Sequence, residues 1–436
     1  MSSLQHGSLN FNKSCSYNFN GGNLSSDAGL LMVRSFAEKC GLRPMLKSFF
    51  GTQDDRTHTP ASVIEQLIFS TLAGYSTDDA ADSLKHDPVF TKILDKDSLA
   101  SQPTISRCIN AFGEDSIEAL NKILERLFEL GNSVKQTKEL VLDIDSTLFE
   151  VYGKQQQGEY NYHYSAKGYH PLLLYNGLNG DLIKAVLRSG SVYTSKDLKE
   201  FLTPVFQWLR AHYPKANILV RGDSGFATPD LYDLCDLYGI EFLVKLKANA
   251  ILHKNSAELV DRFNEAYGKD FTKQHVMYDD FNYQAQSWSR PLRVVCRVER
   301  AVGELLPRAT FIVTTLKAAP KTIVKAYNKR GNMENFIKES KIDFFMDSVS
   351  HSSFVSNAVK TMIKALAYNL INIMKRKVFP KDKAASRLLT IRADLIKIAC
   401  RTVTSARKTE FKLCSSSPYQ QMFKQIMRNI DRLSFA

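Results

Sequence analysis

Between Leu140 and Lys247 the chain alternates in a way that leaves few folds open. Three apolar, strand-like runs follow one another at Leu140 to Leu148, His170 to Leu178 and Leu182 to Ser189, the last two joined through Asn179-Gly180, a strong hairpin signal. An amphipathic helix is then predicted over Thr194 to Tyr213, a strand over Asn217 to Arg221, a helix over Pro229 to Tyr238 and a strand over Ile240 to Lys247. A three-strand meander followed by helix, strand, helix, strand predicts an α/β unit: a mixed five-stranded sheet with helices on both faces.

Acids stand where such a strand should be apolar. In Val141-Leu142-Asp143-Ile144-Asp145-Ser146-Thr147 the two aspartates share one face, while Leu142 and Ile144 take the other. Asp223 closes the next parallel-type strand in Arg221-Gly222-Asp223-Ser224-Gly225. Carboxylates at strand ends face the crevice in which α/β folds place their sites. Further on, Tyr327, Arg330, Glu334 and Lys341 follow the spacing Tyr-x2-Arg-x3-Glu-x6-Lys. On one continuous helix they would fall within an arc of roughly 60°, with Lys338 beside them.

One carboxylate among cations and a phenol suits a divalent metal with phosphates gripped around it. Two magnesium ions about 3.5–4 Å apart need one bridging carboxylate and others that each hold one ion. Asp223 and Glu334 fit two of these places; the spacing leaves both Asp143 and Asp145 open for the bridging one, with Asp145 preferred. Manganese is expected to substitute.

Around this core the chain has other textures. Residues 1–136 are predicted to be helical, with an N-cap at Leu24-Ser25-Ser26-Asp27, a helix from Thr59-Pro60 to Gly74, and a helix opened by Ser101-Gln102-Pro103-Thr104 that carries Arg107 as in a DNA-reading helix. Residues 250–319 form a β-rich insertion between the core parts 137–249 and 320–348. Residues 349–436 form a basic helical region: from Ser350 on there are seventeen Lys/Arg against four Asp/Glu, whereas the preceding residues balance. A charge block of this kind suits nucleic acid. Seven scattered cysteines without a Cys-x-x-Cys pair exclude a zinc or disulfide framework. Met1 to Gly22 is polar, and no apolar run reaches 18 residues. A cytoplasmic protein with no membrane partner is expected.

Together Asp145-Ser-Thr, the hairpin after it, Arg221-Gly-Asp223-Ser-Gly and Tyr327-x2-Arg330-x3-Glu334-x6-Lys341 resemble the DDE insertion-sequence transposases, whose core is RNase H-like. The phrases Leu24-Ser-Ser-Asp-Ala-Gly-Leu30, Ala73-Gly-Tyr-Ser-Thr-Asp-Asp-Ala-Ala-Asp-Ser-Leu84 and Ser101-Gln-Pro-Thr-Ile-Ser-Arg107 are similar to those of the IS thirteen-eighty group. The resemblance favours Asp145 over Asp143 and implies a metal set of Asp145, Asp223 and Glu334. It implies DNA contacts by Tyr327, Arg330, Lys338 and Lys341, and a tryptophan in the insertion, here Trp288, that holds a flipped base.

What it implies for function is cut-and-paste transposition. A homodimer on DNA would bind terminal inverted repeats, free the element through a hairpin end and join it to target DNA in the bacterial cytoplasm, at the nucleoid when acting. The rival readings are a structure-selective nuclease of the same fold and a transposase-derived DNA-binding protein without catalysis.

Overall fold

The computed structural model describes residues 7–51, 57–406 and 408–435. The first six residues of the polar stretch Met1–Gly22 lie outside the described residues. Residues 112–372 fold as one compact unit, and residues 1–111 with 373–436 as another.

The unit of residues 112–372 is built on one sheet. Its strands are β1 (Glu139–Ser146), β2 (Leu172–Asn176), β3 (Leu182–Val186), β4 (Asn217–Gly222), β5 (Glu241–Leu246), β6 (His275–Tyr283), β7 (Leu292–Arg300) and β8 (Arg308–Thr314). Their spatial order is β6-β7-β8-β5-β4-β1-β2-β3. β4 runs parallel to β1 and β5, and all other pairings are antiparallel. All five strands expected of the core are present, but the sheet is eight-stranded rather than five-stranded. The three strands of the expected insertion do not interrupt it: β8 pairs with β5, so they extend the same sheet at that edge.

Alternation along the strands sends side chains to two apolar layers. Leu142, Ile144, Val220, Phe242 and Val244 pack in one layer with α1 (Leu198–His212) and α2 (Pro229–Leu237), through Phe201, Val205, Phe206, Leu231 and Leu234. Leu243, Val295 and Ile312 face the other way, against Ile323 and Val324 of α3 (Pro320–Asn328). Truncating Ile323 to alanine would cost about 2–5 kcal/mol, because a packed layer does not collapse around the loss.

The expected single helix from Tyr327 to Lys341 is two. α3 ends at Asn328 and α4 spans Gly331–Ile342, joined by short-range bonds from Arg330 N–H to the Tyr327 carbonyl and from Met333 N–H to the Arg330 carbonyl. The junction Asn328-Lys329-Arg330-Gly331-Asn332 holds glycine and two asparagines, poor residues for a helix interior.

Helix α5 (Phe354–Val378) carries the chain out of this unit, and its Lys360, Lys364 and Lys375 are buried. Lys364 Nζ donates to the Ser348 carbonyl at 2.9 Å. The same helix fastens the β2–β3 turn: Asn369 bonds both backbone groups of Leu182 at 2.7 and 2.8 Å, and Tyr368 donates to the Gly180 carbonyl at 2.9 Å. Gly180, at φ 77°, supplies the left-handed residue this turn needs.

The unit of residues 1–111 and 373–436 is helical but also carries strands. Leu24–Ser25 pairs with Cys400–Ser405, which pairs with Lys408–Leu413, so the C-terminal region contains a hairpin where helix alone was expected. The expected N-cap at Leu24 to Asp27 is not one: the helix starts at Leu30, and Asp27 turns inward to Lys397 Nζ at 2.6 Å and the Tyr75 hydroxyl at 2.8 Å. Thr59 does cap its helix, accepting from Ser62 N–H at 3.3 Å. Among the described residues no helix is long and apolar enough to cross a membrane.

Candidate active site

The parallel register of β1 and β4 decides where the acids stand. Asp143 lies opposite Arg221, and continuing that register by two residues puts Asp223 beside Asp145, at the C-terminal ends of both strands. Asp143 is fully buried. Arg221 Nε and Nη2 donate to its two carboxylate oxygens at 2.6 and 2.7 Å, and Arg221 Nη1 donates to the Ala326 carbonyl at 2.6 Å. Burial pushes the Asp143 carboxyl up and Arg221 pulls it down. Its negative charge is thus matched inside the protein, and the same guanidinium ties the strand ends to the last turn of α3.

Asp145 is placed differently. It is only partly buried, and one oxygen accepts from Arg330 Nη2 at 2.9 Å while the other accepts from Ser146 N–H at 2.9 Å. Burial first, then the charge of Asp223, raises its carboxyl to about 6, against the pull of Arg330. Asp223 caps the short turn after β4, its Oδ1 accepting from Gly225 N–H at 2.9 Å. The two carboxylates therefore share one crevice.

The helix junction delivers Tyr327 and Arg330 to this crevice. Arg330 also donates to the Ile144 carbonyl at 3.1 Å, and its Nε is buried with no hydrogen-bond partner among the described residues. Burial raises the Tyr327 phenol's pKa; Arg330 opposes this, and Asp223, Asp145 and Asp143 add to it. Lys341 Nζ donates to the Leu148 carbonyl at 2.9 Å, binding α4 to the loop that follows Asp145. Glu334 is exposed, one helical turn beyond Arg330. Among the described residues no group of three His, Cys, Asp or Glu side chains is close enough to hold a metal, so Glu334 is not gathered with the two aspartates. Lys338 is exposed on the same helix.

Two expected DNA contacts are placed elsewhere. Trp288 is 8% exposed, edge-on to Tyr232 and Tyr283 at 5.2 Å from each, so in this structure its ring is packed among aromatic neighbours. Arg107 is exposed on the helix Gln102–Asn110, which belongs to the other compact unit, and bonds Thr104 Oγ1 at 3.3 Å.

Tyr164 enters the site without having been singled out in the sequence. Its hydroxyl donates to the Ser146 carbonyl at 3.2 Å. Burial, Asp145 and Asp223 raise its pKa. The only signal was the run Tyr160-Asn161-Tyr162-His163-Tyr164, unusually aromatic for a loop.

No curated protein matches the chain. A solved structure, the cryo-EM structure of the piggyBac transposase synaptic complex with hairpin DNA, is similar at 13% identity over 90% of this chain and 82% of that one, with a TM-score of 0.43. The family model for the transposase DDE domain, group 1, matches residues 7–435, and the chain belongs to that family of DNA transposases.

Proposed function

We propose that this transposase binds the terminal inverted repeats of a mobile element of the IS thirteen-eighty kind, and cuts and rejoins DNA at the crevice of Asp145 and Asp223. The observation that carries this reading is the register-matched pair of acids facing Arg330, whose buried Nε meets no acceptor among the described residues. A buried donor of this kind is costly unless something meets it, and a DNA phosphate oxygen is the acceptor the family supplies. The order of the five strands expected from the sequence, third-second-first-fourth-fifth across β3-β2-β1-β4-β5, supports an RNase H-like core.

The two aspartates fit a divalent cation. Both are hard oxygen donors, adjacent at strand ends, and Asp145 carries a charge that burial and Asp223 disfavour. Asp145 and Asp223 would hold magnesium, with manganese able to replace it; Glu334, exposed and not gathered with them in this structure, is proposed as the further ligand of a two-ion set, brought to it when DNA and the ions bind. Bound there, the ions would supply charge neutralisation at the phosphate and an activated water or 3′-hydroxyl.

The chain's own residues do the rest. Arg330 neutralises Asp145 and presents its guanidinium to the phosphate. Tyr327 places a phenol beside both acids, and Lys341 fixes α4 against the end of β1. Lys338 and Arg107 are assigned to the DNA backbone. Two ends cut in concert require two active sites, hence a homodimer on DNA, and release through a hairpin precedes strand transfer to target DNA.

Incubation of the protein and Mg²⁺ with labelled DNA bearing the element's terminal repeats tests this. Nicked and hairpin ends are expected from the wild type. Nicks without hairpins or joined products would instead mark a structure-selective nuclease, and binding without any cutting a DNA-binding protein.

A further inference from the structure

Directly after Asp145 the chain leaves the main sheet and builds a small one from Phe149–Glu150, Glu159–Asn161 and Ala166–Tyr169, with the third strand in the middle. Phe149, Asn161, Gly168 and Tyr169 are buried. Asn161 fixes the turn between the last two strands: its Nδ2 donates to the Gly190 carbonyl at 2.7 Å, and its Oδ1 accepts from the N–H groups of His163 and Tyr164 at 3.0 and 3.2 Å. Ser165, at φ 52°, completes it.

The outward side of this rigid turn is aromatic. Tyr162 is 88% exposed and Tyr160 48%, their rings edge-on at 5.2 Å. Tyr164 meets His163 at 4.7 Å and the buried His170 at 5.8 Å, while its hydroxyl reaches the carbonyl of Ser146, the neighbour of Asp145. Tyr164 therefore stands beside the acids, and the Tyr160–Tyr162 pair lies exposed on the strand and turn that lead to it. Charge does not explain it: Glu150 and Glu159 balance Lys154 and Lys167 along residues 150–167. Glu159 is held by Ser189 and Ser191, and Lys167 Nζ by the Gly153 carbonyl at 2.8 Å.

A surface that grips by rings rather than charge suits nucleobases whose faces are free, which a fully paired duplex does not present. Resting on the active-site reading above, we propose that Tyr160, Tyr162 and Tyr164 form a stacking surface for unpaired nucleotides next to the phosphate held at Asp145 and Asp223.

The test is a forked DNA, duplex with 2-aminopurine among unpaired nucleotides beside the cut, titrated with the full chain in Ca²⁺ so that binding is measured without cutting. Wild-type protein is expected to quench the probe. A Tyr160→Ala/Tyr162→Ala double variant, which removes exposed rings only, is expected to lose the quenching and to bind the fork about tenfold or more weakly, with binding of the fully paired duplex within about twofold of wild type. Tyr164→Phe keeps its ring and should keep the quenching. Unchanged quenching in the double variant, or equal weakening on fork and duplex, overturns the stacking surface. Cutting by Asp145→Ala at the wild-type rate in Mg²⁺ overturns the active-site reading instead, and the quenching assay does not depend on it.

Discussion

Arg221 and Asp143, opposite each other on two parallel strands, are joined by two hydrogen bonds at a point where neither side chain is more than 4% exposed. Two residues further along the same strands, Asp145 meets only one nitrogen of the partly exposed Arg330 and stands beside Asp223 rather than in a two-bond pair. Period-two alternation puts Asp143 and Asp145 on one face, and it is the partner that separates a structural acid from one that faces the crevice. Asp143→Ala strands the guanidinium of Arg221 in the core, and an uncompensated buried charge costs about 3–5 kcal/mol. Urea denaturation should show that loss for Asp143→Ala and a distinctly smaller one for Asp145→Ala. Equal losses would contradict the division of roles.

Gly177 follows β2 against this same ion pair. A Cβ there would lie 2.2 Å from Asp143 Oδ2 and 2.6 Å from Arg221 Nη2. Gly177→Ala therefore forces the pair apart and should destabilise the protein by about 1–3 kcal/mol, as overpacking does. A midpoint in urea equal to that of the wild type would show that the pair can shift freely.

Much of this was legible in the chain itself, for identifiable reasons. The acid-bearing strand, the hairpin at Asn179-Gly180 and the strand ending at Asp223 are local patterns, and each appears where its periodicity and turn residues place it. What was not legible depends on distant partners. The addition of β6, β7 and β8 to the main sheet rests on pairing of Leu243 to Leu246 with Phe311 to Thr314, which alternation alone does not specify. Trp288 is buried because Tyr232 and Tyr283 surround it, and Lys360, Lys364 and Lys375 are taken up by their own fold although composition marks them as a DNA-binding block. The break at Gly331 was visible as poor helix propensity, but the regular spacing from Tyr327 to Lys341 masked it.

The proposed metal site makes ion binding depend on pH through Asp145. Its carboxyl is raised to about 6, burial being the main cause. The folded protein thus holds that proton more tightly than the unfolded chain, so the stability it contributes is complete below about pH 4 and lost as pH rises through about 6. A divalent cation replaces the proton only above that range. Calorimetry should show Mg²⁺ raising Tm at pH 7.5 and raising it far less at pH 5, with Asp145→Asn unresponsive at either pH. The same rise at both pH values would contradict a site built on Asp145.

Arg330 meets both Asp145 and the Ile144 carbonyl through Nη2 of its planar group, and its Nε is buried with no acceptor among the described residues. Arg330→Lys keeps the charge and loses the fork. Cleavage should fall about 100-fold or more, as when a preorganised donor to a phosphate is removed, while thermal stability stays close to wild type. Cleavage within about threefold of the wild type would show that charge alone suffices.

The most direct measurement is strand cleavage of DNA bearing the element's terminal repeats in Mg²⁺, with Asp145→Asn, Asp223→Asn and Glu334→Gln compared singly against the wild type. Each of the three is expected to abolish nicking while leaving DNA binding within about threefold. Nicking at the wild-type rate by Asp145→Asn or Asp223→Asn would contradict an active site at the ends of β1 and β4.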